Sequence, residues 1–371
     1  MNYPSSDAPY PLLKIQSRSL AHNLDALKRL APRSKILIPV KANAYGCGLS
    51  TLFPFFDSHH VDFLGVANCH EAEHLRYLGW QKPIINLGGF FPENAECIVK
   101  NSIIASITDL WQFESLEKTC ERLNRSAEVH LKLDLGMGRI GLLREQLADM
   151  VSEFKKCQRL KISGIFTHFP FSSEENRAET LGQNTEFKET ALRLIAQMQL
   201  QRDAVLLHAA NSYASIFFPD THHDMIRPGI IFYGYYQSEA DRIRYNGHFQ
   251  FQSSLELEAL PISIRKLRKH TTISYGALYQ VQADEESVGV LPLGYADGIP
   301  RALSNQIDFA GHPLRGRVTM DQIIVGNVTE PKPVLLLGEG APSLEHWGEL
   351  ANSFSYEIMS HLGNRLRRVL G

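Results

Sequence analysis

A closed (β/α)₈ barrel followed by a mainly β domain is the fold this sequence predicts, and three observations carry the prediction. Eight apolar runs alternate with amphipathic segments from Ile36 to Phe232. That alternation is the pattern of repeated strand–helix units. A polar stretch, QSEADRIRYNGHFQ at 237–250, then breaks it and reads as a linker. From residue 251 onward apolar residues recur with period two, as in half-buried strands. A doubly wound open sheet is the alternative, since nothing in the pattern obliges eight strands to close.

The elements follow in order. Residues 17–30 (SRSLAHNLDALKRL) place Leu20, Leu24, Leu27 and Leu30 on one helical face, with Ser17 as the cap. The apolar runs are Ile36–Val40, Phe63–Ala67, Pro83–Leu87, Ile103–Ile107, Glu128–Leu135, Ile162–Thr167, Ala204–Leu207 and Met225–Phe232. Segments 109–123, 144–157 and 184–200 lie between them with helical periodicity. Past the linker, alternation runs through Leu255, Leu257 and Ala259, Val288 and Val290, Ile323 and Val325, then Val334 and Leu336. A short amphipathic segment at 344–350 and the basic end Arg365, Arg367 and Arg368 close the chain. The expected division is a barrel at 11–244 and a mainly β domain at 245–371. Residues 1–10 include a Pro-rich, extended stretch from Tyr3 to Tyr10 that could cross over to pair with the β domain, a pairing the sequence does not decide.

Composition narrows the function classes. The chain has 371 residues, with 44% apolar and 21% charged, and a net charge of −2. That balance gives no support for nucleic-acid binding. Five cysteines without a CxxC pair fit a reduced, cytoplasmic protein. No apolar run is long enough to span a membrane, and no basic-then-apolar leader opens the sequence.

In a parallel barrel the chemistry gathers at the C-terminal strand ends. The first run ends on Lys41, within VKANAYG. A desolvated lysine there has a lowered pKa and becomes a nucleophile and Schiff-base former; a lysine that merely reaches solvent satisfies the same spacing. Later runs end on Leu87-Gly88-Gly89, on DLGMGRIG with Arg139, on Thr167-His168 and on HAANS with Asn211 and Ser212. The eighth contains Arg227-Pro228-Gly229-Ile230. The loops after the last two strands often hold a phosphate in this fold. A lysine and a phosphate seat at one mouth point to pyridoxal phosphate. Taken singly, His168 also reads as a core histidine, Arg139 as a surface cation and Tyr45 as packing. Arg227 is harder to dismiss, because a buried guanidinium cannot deprotonate and needs partners.

Seven motifs in order, VKANAYG, LDLGMGRIG, HAANS, IRPGIIFYG, ISYGALY, LPLGYADG and RVTMDQ, together resemble the alanine racemase family. The resemblance runs through both halves of the chain. It implies a barrel plus β domain, pyridoxal 5′-phosphate held covalently through Lys41, and interconversion of L- and D-alanine for peptidoglycan supply. It implies that Tyr45, Ser212, Gly229, Ile230 and Tyr356 hold the cofactor phosphate. Arg227 would face the pyridine nitrogen, with His168 hydrogen-bonded near it. Arg139 and the Met320 N–H would bind the substrate carboxylate, and Asn211 and Leu87 would line the pocket. Tyr295 and Asp321 would shape the way in. Lys132 matches a lysine that some relatives carry carbamylated, although pairing with Asp134 explains it equally. Tyr275 would be the second acid/base, contributed by the other subunit of a head-to-tail homodimer. No metal enters this set.

Racemisation needs proton transfer on two faces of Cα, which explains a lysine and a tyrosine in opposition. Cys47, Thr319 and the C-terminal NRLRRVLG depart from the common family pattern, which bears on loop shape and dimer contacts. Three rivals stand beside this reading: a racemase of larger amino acids (serine, lysine or arginine), a barrel decarboxylase and a non-catalytic cofactor carrier. The decarboxylase needs an acid where Arg227 stands, and the carrier lacks a β domain with Tyr275.

Overall fold

The structure, a computed structural model, describes residues 11–59 and 61–371. The chain divides into two compact units. One comprises Leu24–Ala42 and Phe53–Phe232. The other comprises the described residues up to Asn23, Asn43–Leu52 and Tyr233–Gly371.

After a first strand, β1 (Leu12–Ile15), the barrel unit contributes eight more. They are β2 (Lys35–Pro39), β3 (Phe63–Val66), β4 (Ile84–Asn86), β5 (Ile104–Ile107), β6 (Ala127–Lys132), β7 (Leu160–Phe166), β8 (Leu206–His208) and β9 (Met225–Ile226). They pair in parallel in the order β8-β7-β6-β5-β4-β3-β2-β9. β8 and β9 share no ladder, but two backbone bonds tie this seam. Asp224 N–H donates to the Leu207 carbonyl at 3.0 Å, and Arg227 N–H to the Ala210 carbonyl at 2.9 Å. The (β/α)₈ expectation therefore holds. Both faces of these strands are covered, so β3 and β5 are buried throughout and show no alternation. Leu37, Phe63, Ile85, Ile104 and Met225 form one apolar layer of the interior.

The expected helical segments appear as Trp111–Leu123, Leu147–Phe154 and Arg177–Gln197. Asn68 caps the helix Cys69–Tyr77 by accepting from Glu71 N–H at 3.1 Å. Among the described residues, no helix is long and apolar enough to cross a membrane.

The second unit holds a four-stranded sheet in the order Val334–Leu337, Leu255–Ala259, β1, Arg367–Leu370. A three-stranded antiparallel sheet joins Ser263–Arg268, Glu285–Leu291 and Ile323–Gly326. Two details differ from the sequence reading. β1, expected within the barrel segment, lies inside this sheet, antiparallel to Leu255–Ala259 and parallel to Arg367–Leu370. Its alternation is the reason: Leu13 and Ile15 are buried, while Lys14 reaches Glu256 at 2.7 Å and Glu258 at 3.1 Å. That lysine is satisfied by two glutamates of the neighbouring strand Leu255–Ala259. The expected linker at 237–250 is mostly helix, Glu239–Phe249, capped by Ser238. Its polarity misled, because only Tyr245 is buried on it. Arg242 anchors this helix by pairing with buried Glu345 at 2.8 Å. The pairing expected of residues 1–10 falls outside the described residues.

Candidate active site

The site begins with a turn of the wrong hand. Past β2 and Val40, residues Lys41–Tyr45 coil once. Ala42, Asn43, Ala44 and Tyr45 have φ of 53°, 55°, 55° and 55°. This is left-handed helix built without glycine, at about 1–2 kcal/mol per residue. Such strain persists only where surroundings over-determine it. Glu71 does this at the start, accepting Ala42 N–H at 2.7 Å and Ala67 N–H at 2.8 Å on its two oxygens. Asn43 fixes the far end, taking Leu49 N–H on its side chain at 2.8 Å and Gly48 N–H on its carbonyl at 2.9 Å. Gly46 follows at φ +81°, where a Cβ would fall 2.1 Å from the Met359 carbonyl. Arg368 Nε donates to the Gly46 carbonyl at 2.8 Å.

The barrel unit gathers four cations. Lys41 keeps accessible surface at the mouth, yet protein surrounds it on most sides. Lost hydration lowers its pKa, Arg139 and Arg227 lower it further, and Glu71 opposes them. Lys132, at the end of β6, is buried and is pushed down to about 8 by that burial, then by Arg139, Arg227 and Lys41. Its Nζ lies 3.4 Å from the Leu87 carbonyl and 5.6 Å from the centre of the Phe166 ring. No salt bridge joins it to Asp134. That carboxylate instead accepts the N–H groups of Gly136, Gly138 and Arg139 at 3.1, 2.9 and 2.8 Å, shaping the loop that carries Arg139. Burial works against the ionised form of Asp134, but these donors outweigh it and hold its pKa low.

Arg227 is 5% exposed. Its Nη2 donates to the carbonyls of Thr167 at 2.8 Å and Ala209 at 3.0 Å, and its Nη1 to His208 Nδ1 at 2.9 Å. The imidazole bonded to Arg227 is therefore that of His208, not His168. His168 stands two residues past β7 and is held to about 3 by burial, then by Arg227 and Arg139, so it is neutral. A guanidinium has five donors. Among the described residues, Arg227 Nε–H and one Nη1–H take no partner, and no carboxylate bonds to it.

Nearby, Ser212 Oγ accepts Gly229 N–H at 2.8 Å, and Ile230 opens a buried 3₁₀ turn. Asn211 caps the helix Ser212–Phe217 and donates to Ser172 at 3.1 Å. The second unit carries the other expected residues. Tyr45 is buried, its ring 6.4 Å from that of Tyr356 and 5.3 Å from that of Tyr233. Burial pushes the Tyr45 phenol far up. Arg365 bonds to Asp321 at 2.6 Å and to the Met320 carbonyl at 3.3 Å. Tyr295 donates its N–H to the Thr319 carbonyl at 2.9 Å. Tyr275 is 74% exposed, between Ser274 at φ +63° and Gly276 at φ +69°. With Ser274, Thr319, Gln322 and Ile324 it lines a cavity of about 290 Å³.

Sequence reasoning missed Glu71, His130 and His208. His208 stood in the quoted HAANS motif. His130 and Glu71 gave no signal beyond position, one inside a strand run and the other inside a polar helix start.

At its mouth the parallel barrel combines a lysine whose pKa burial lowers, a buried arginine and a hydroxyl-bearing helix start, the arrangement of a ligand-binding (β/α)₈ barrel. The comparisons name the family within it. The alanine racemase N-terminal domain matches residues 15–237 and the alanine racemase C-terminal domain residues 254–370. An alanine racemase of Desulforamulus reducens is 32% identical, with 96% of this chain and 97% of that protein covered. The alanine racemase of Streptomyces lavendulae superposes with a TM-score of 0.90 at 26% identity, over 99% of this chain and 98% of that one. The alanine racemase of Bartonella henselae with covalently bound pyridoxal phosphate superposes with a TM-score of 0.83 at 25% identity, over 98% and 100% of the two chains. The chain belongs to the alanine racemase family, a family of isomerases.

Proposed function

We propose that this chain racemises alanine with pyridoxal phosphate, in a dimer whose second copy supplies Tyr275. One observation carries the reading: four cations cluster in the barrel unit, and one of the two buried ones, Arg227, keeps an Nε–H without a partner among the described residues. A pyridine nitrogen is the acceptor such a donor fits. When bound, the cofactor draws electron density from the substrate Cα so that its proton can leave. Lys41 would hold the cofactor, and its depressed pKa suits its amine to act as a base. Ser212, Gly229 and Ile230 hold the phosphate, with the Tyr45 and Tyr356 hydroxyls. Arg139 and the Met320 N–H take the substrate carboxylate, Asn211 and Leu87 bound the pocket, and Tyr295 and Asp321 line its approach.

Lys41 and Tyr275 act on opposite faces of Cα. A single base tends to return the proton to the side it left, so inversion needs both. Arg227 would stay charged and, facing a pyridine nitrogen, would leave that nitrogen unprotonated, which would restrain competing reactions. Lys132, partly neutral near pH 8, suits reaction with carbon dioxide to a carbamate that orients Arg139. A crystal structure with no added density at the Lys132 tip would remove that last role.

The test is loss of optical rotation from L-alanine, with and without added cofactor, against a panel including L-serine, L-lysine and L-arginine. Alanine turnover that vanishes in Lys41→Ala is expected. In Tyr275→Phe, exchange of the Cα proton is expected to fall in one direction only. Equal turnover of lysine and alanine would overturn the substrate, and cofactor binding without turnover would leave a carrier.

A further inference from the structure

The barrel interior holds a second imidazole that neither the fold nor the roles above require. His130 Nδ1 lies 2.9 Å from His208 Nε2, and His208 Nδ1 lies 2.9 Å from Arg227 Nη1. The protons in this chain can be assigned by elimination. Arginine only donates, so His208 Nδ1 accepts and its proton sits on Nε2. That proton goes to His130 Nδ1, so the remaining His130 proton sits on Nε2. Both histidines are fully buried, and His130 Nε2 has no partner among the described residues.

Two neighbours hold the rings. Phe166 stacks on His208 at 4.6 Å and 7°. Gly164 makes room for His130, since a Cβ there would stand 2.5–2.6 Å from three of its ring atoms. A buried N–H without a partner is costly, so a chain that retains one is built for something other than stability. Burial, and then Arg227, holds His130 to about 3, consistent with two neutral rings.

We propose that His130 is a positioning residue for the reaction. Acting through His208, it fixes the tautomer and ring plane that aim Arg227 at its ligand, and Gly164 exists to admit it. Without an acceptor at His130, His208 is free to turn, and Arg227 loses its one side-chain partner.

The test uses the full-length protein with ¹⁵N-labelled imidazoles. Wild type is expected to show two histidines as pure Nε2–H tautomers that do not titrate between about pH 5 and 8. One of these signals disappears and the other changes in His130→Leu. The kinetic arm rests on the racemase reading; the tautomer arm does not, so the two fail separately. His130→Leu is expected to lower kcat about tenfold, the worth of one buried hydrogen bond, with KM nearly unchanged. It should also shift the absorption of the bound cofactor. His130→Gln, whose amide oxygen can accept from His208, restores most of the rate and the spectrum. Gly164→Ala reproduces the leucine variant. A His208 that carries its proton on Nδ1 or titrates in that range would overturn the proposal. So would a leucine variant with wild-type kcat and spectrum that has lost only thermal stability.

Discussion

Replacing Ala42 with glycine should stabilise this protein or leave it unchanged, the reverse of what the exchange does in an ordinary helix. Ala42 sits at φ +53° in the turn after β2, and its side chain is exposed, so its removal exposes no core. Left-handed geometry costs a residue with a Cβ about 1–2 kcal/mol. Glycine removes that cost and adds about 0.5–1 kcal/mol of unfolded-chain freedom. The net is a gain of about 0.5 kcal/mol. In a right-handed helix the same exchange loses about 1 kcal/mol, so the two hands differ in sign. Ala42→Val tests the other side. A β-branched residue is a genuine outlier at positive φ and should lose more than about 1 kcal/mol. Both variants keep the N–H that Glu71 accepts. Urea unfolding of the full-length chain reads the order Gly ≥ Ala > Val in midpoint. A glycine variant weakened by about 1 kcal/mol, or a valine variant equal to wild type, would refute the reasoning.

Three further outcomes follow from the same geometry. Glu71→Ala strands two backbone N–H groups at the ends of β2 and β3 and should cost about 2–3 kcal/mol in urea unfolding, with Lys41 reactivity toward pyridoxal phosphate also reduced. Stability should fall steeply in acid. His130 and His168 are held to about 3, His223 to about 4 and His208 well below its ordinary value, each first by burial. Their unfolded forms take protons near 6.5, so the unfolded state binds more protons as pH falls below that value. The loss approaches about 1.4 kcal/mol per pH unit for each histidine until its folded form titrates, near 3 for His130 and His168 and near 4 for His223. A flat unfolding midpoint from pH 7 to 4 would contradict this burial. Arg227→Glu should raise transamination relative to racemisation, read as pyruvate formed from alanine, and an unchanged ratio would remove the role given to its charge.

The barrel was legible because strands covered on both faces are mostly apolar, and β2 to β9 each overlap one of the eight runs. The second sheet was legible as period-two alternation. The same alternation in Leu12–Ile15 was passed over, since a four-residue strand has too few turns of pattern to separate it from the helix that follows. The polar helix Glu239–Phe249 was hidden by composition, because its anchor, Glu345, lies far along the chain. At the site, the lysine, arginines and tyrosines were named from motifs, whereas their supports were not. KANAY has the composition of an ordinary right-handed helix. Its hand is imposed by Glu71 and Asn43, so no local propensity reveals it. Similarly, a histidine in an apolar run looks like any core histidine until the arginine at its ring is placed in space.

The four-stranded sheet sets a schedule for synthesis. β1 is made before every barrel strand, yet one neighbour, Leu255–Ala259, is made only after all of them, and the other, Arg367–Leu370, later still. At ordinary elongation rates the first strand waits roughly tens of seconds with its edges unpaired. The barrel unit is translated within that interval and can fold while its neighbour is incomplete. Leu13 and Ile15 are exposed meanwhile, flanking Lys14, whose charge discourages edge-to-edge pairing with another nascent chain. The lysine later bridged by Glu256 and Glu258 thus serves first as a guard during birth.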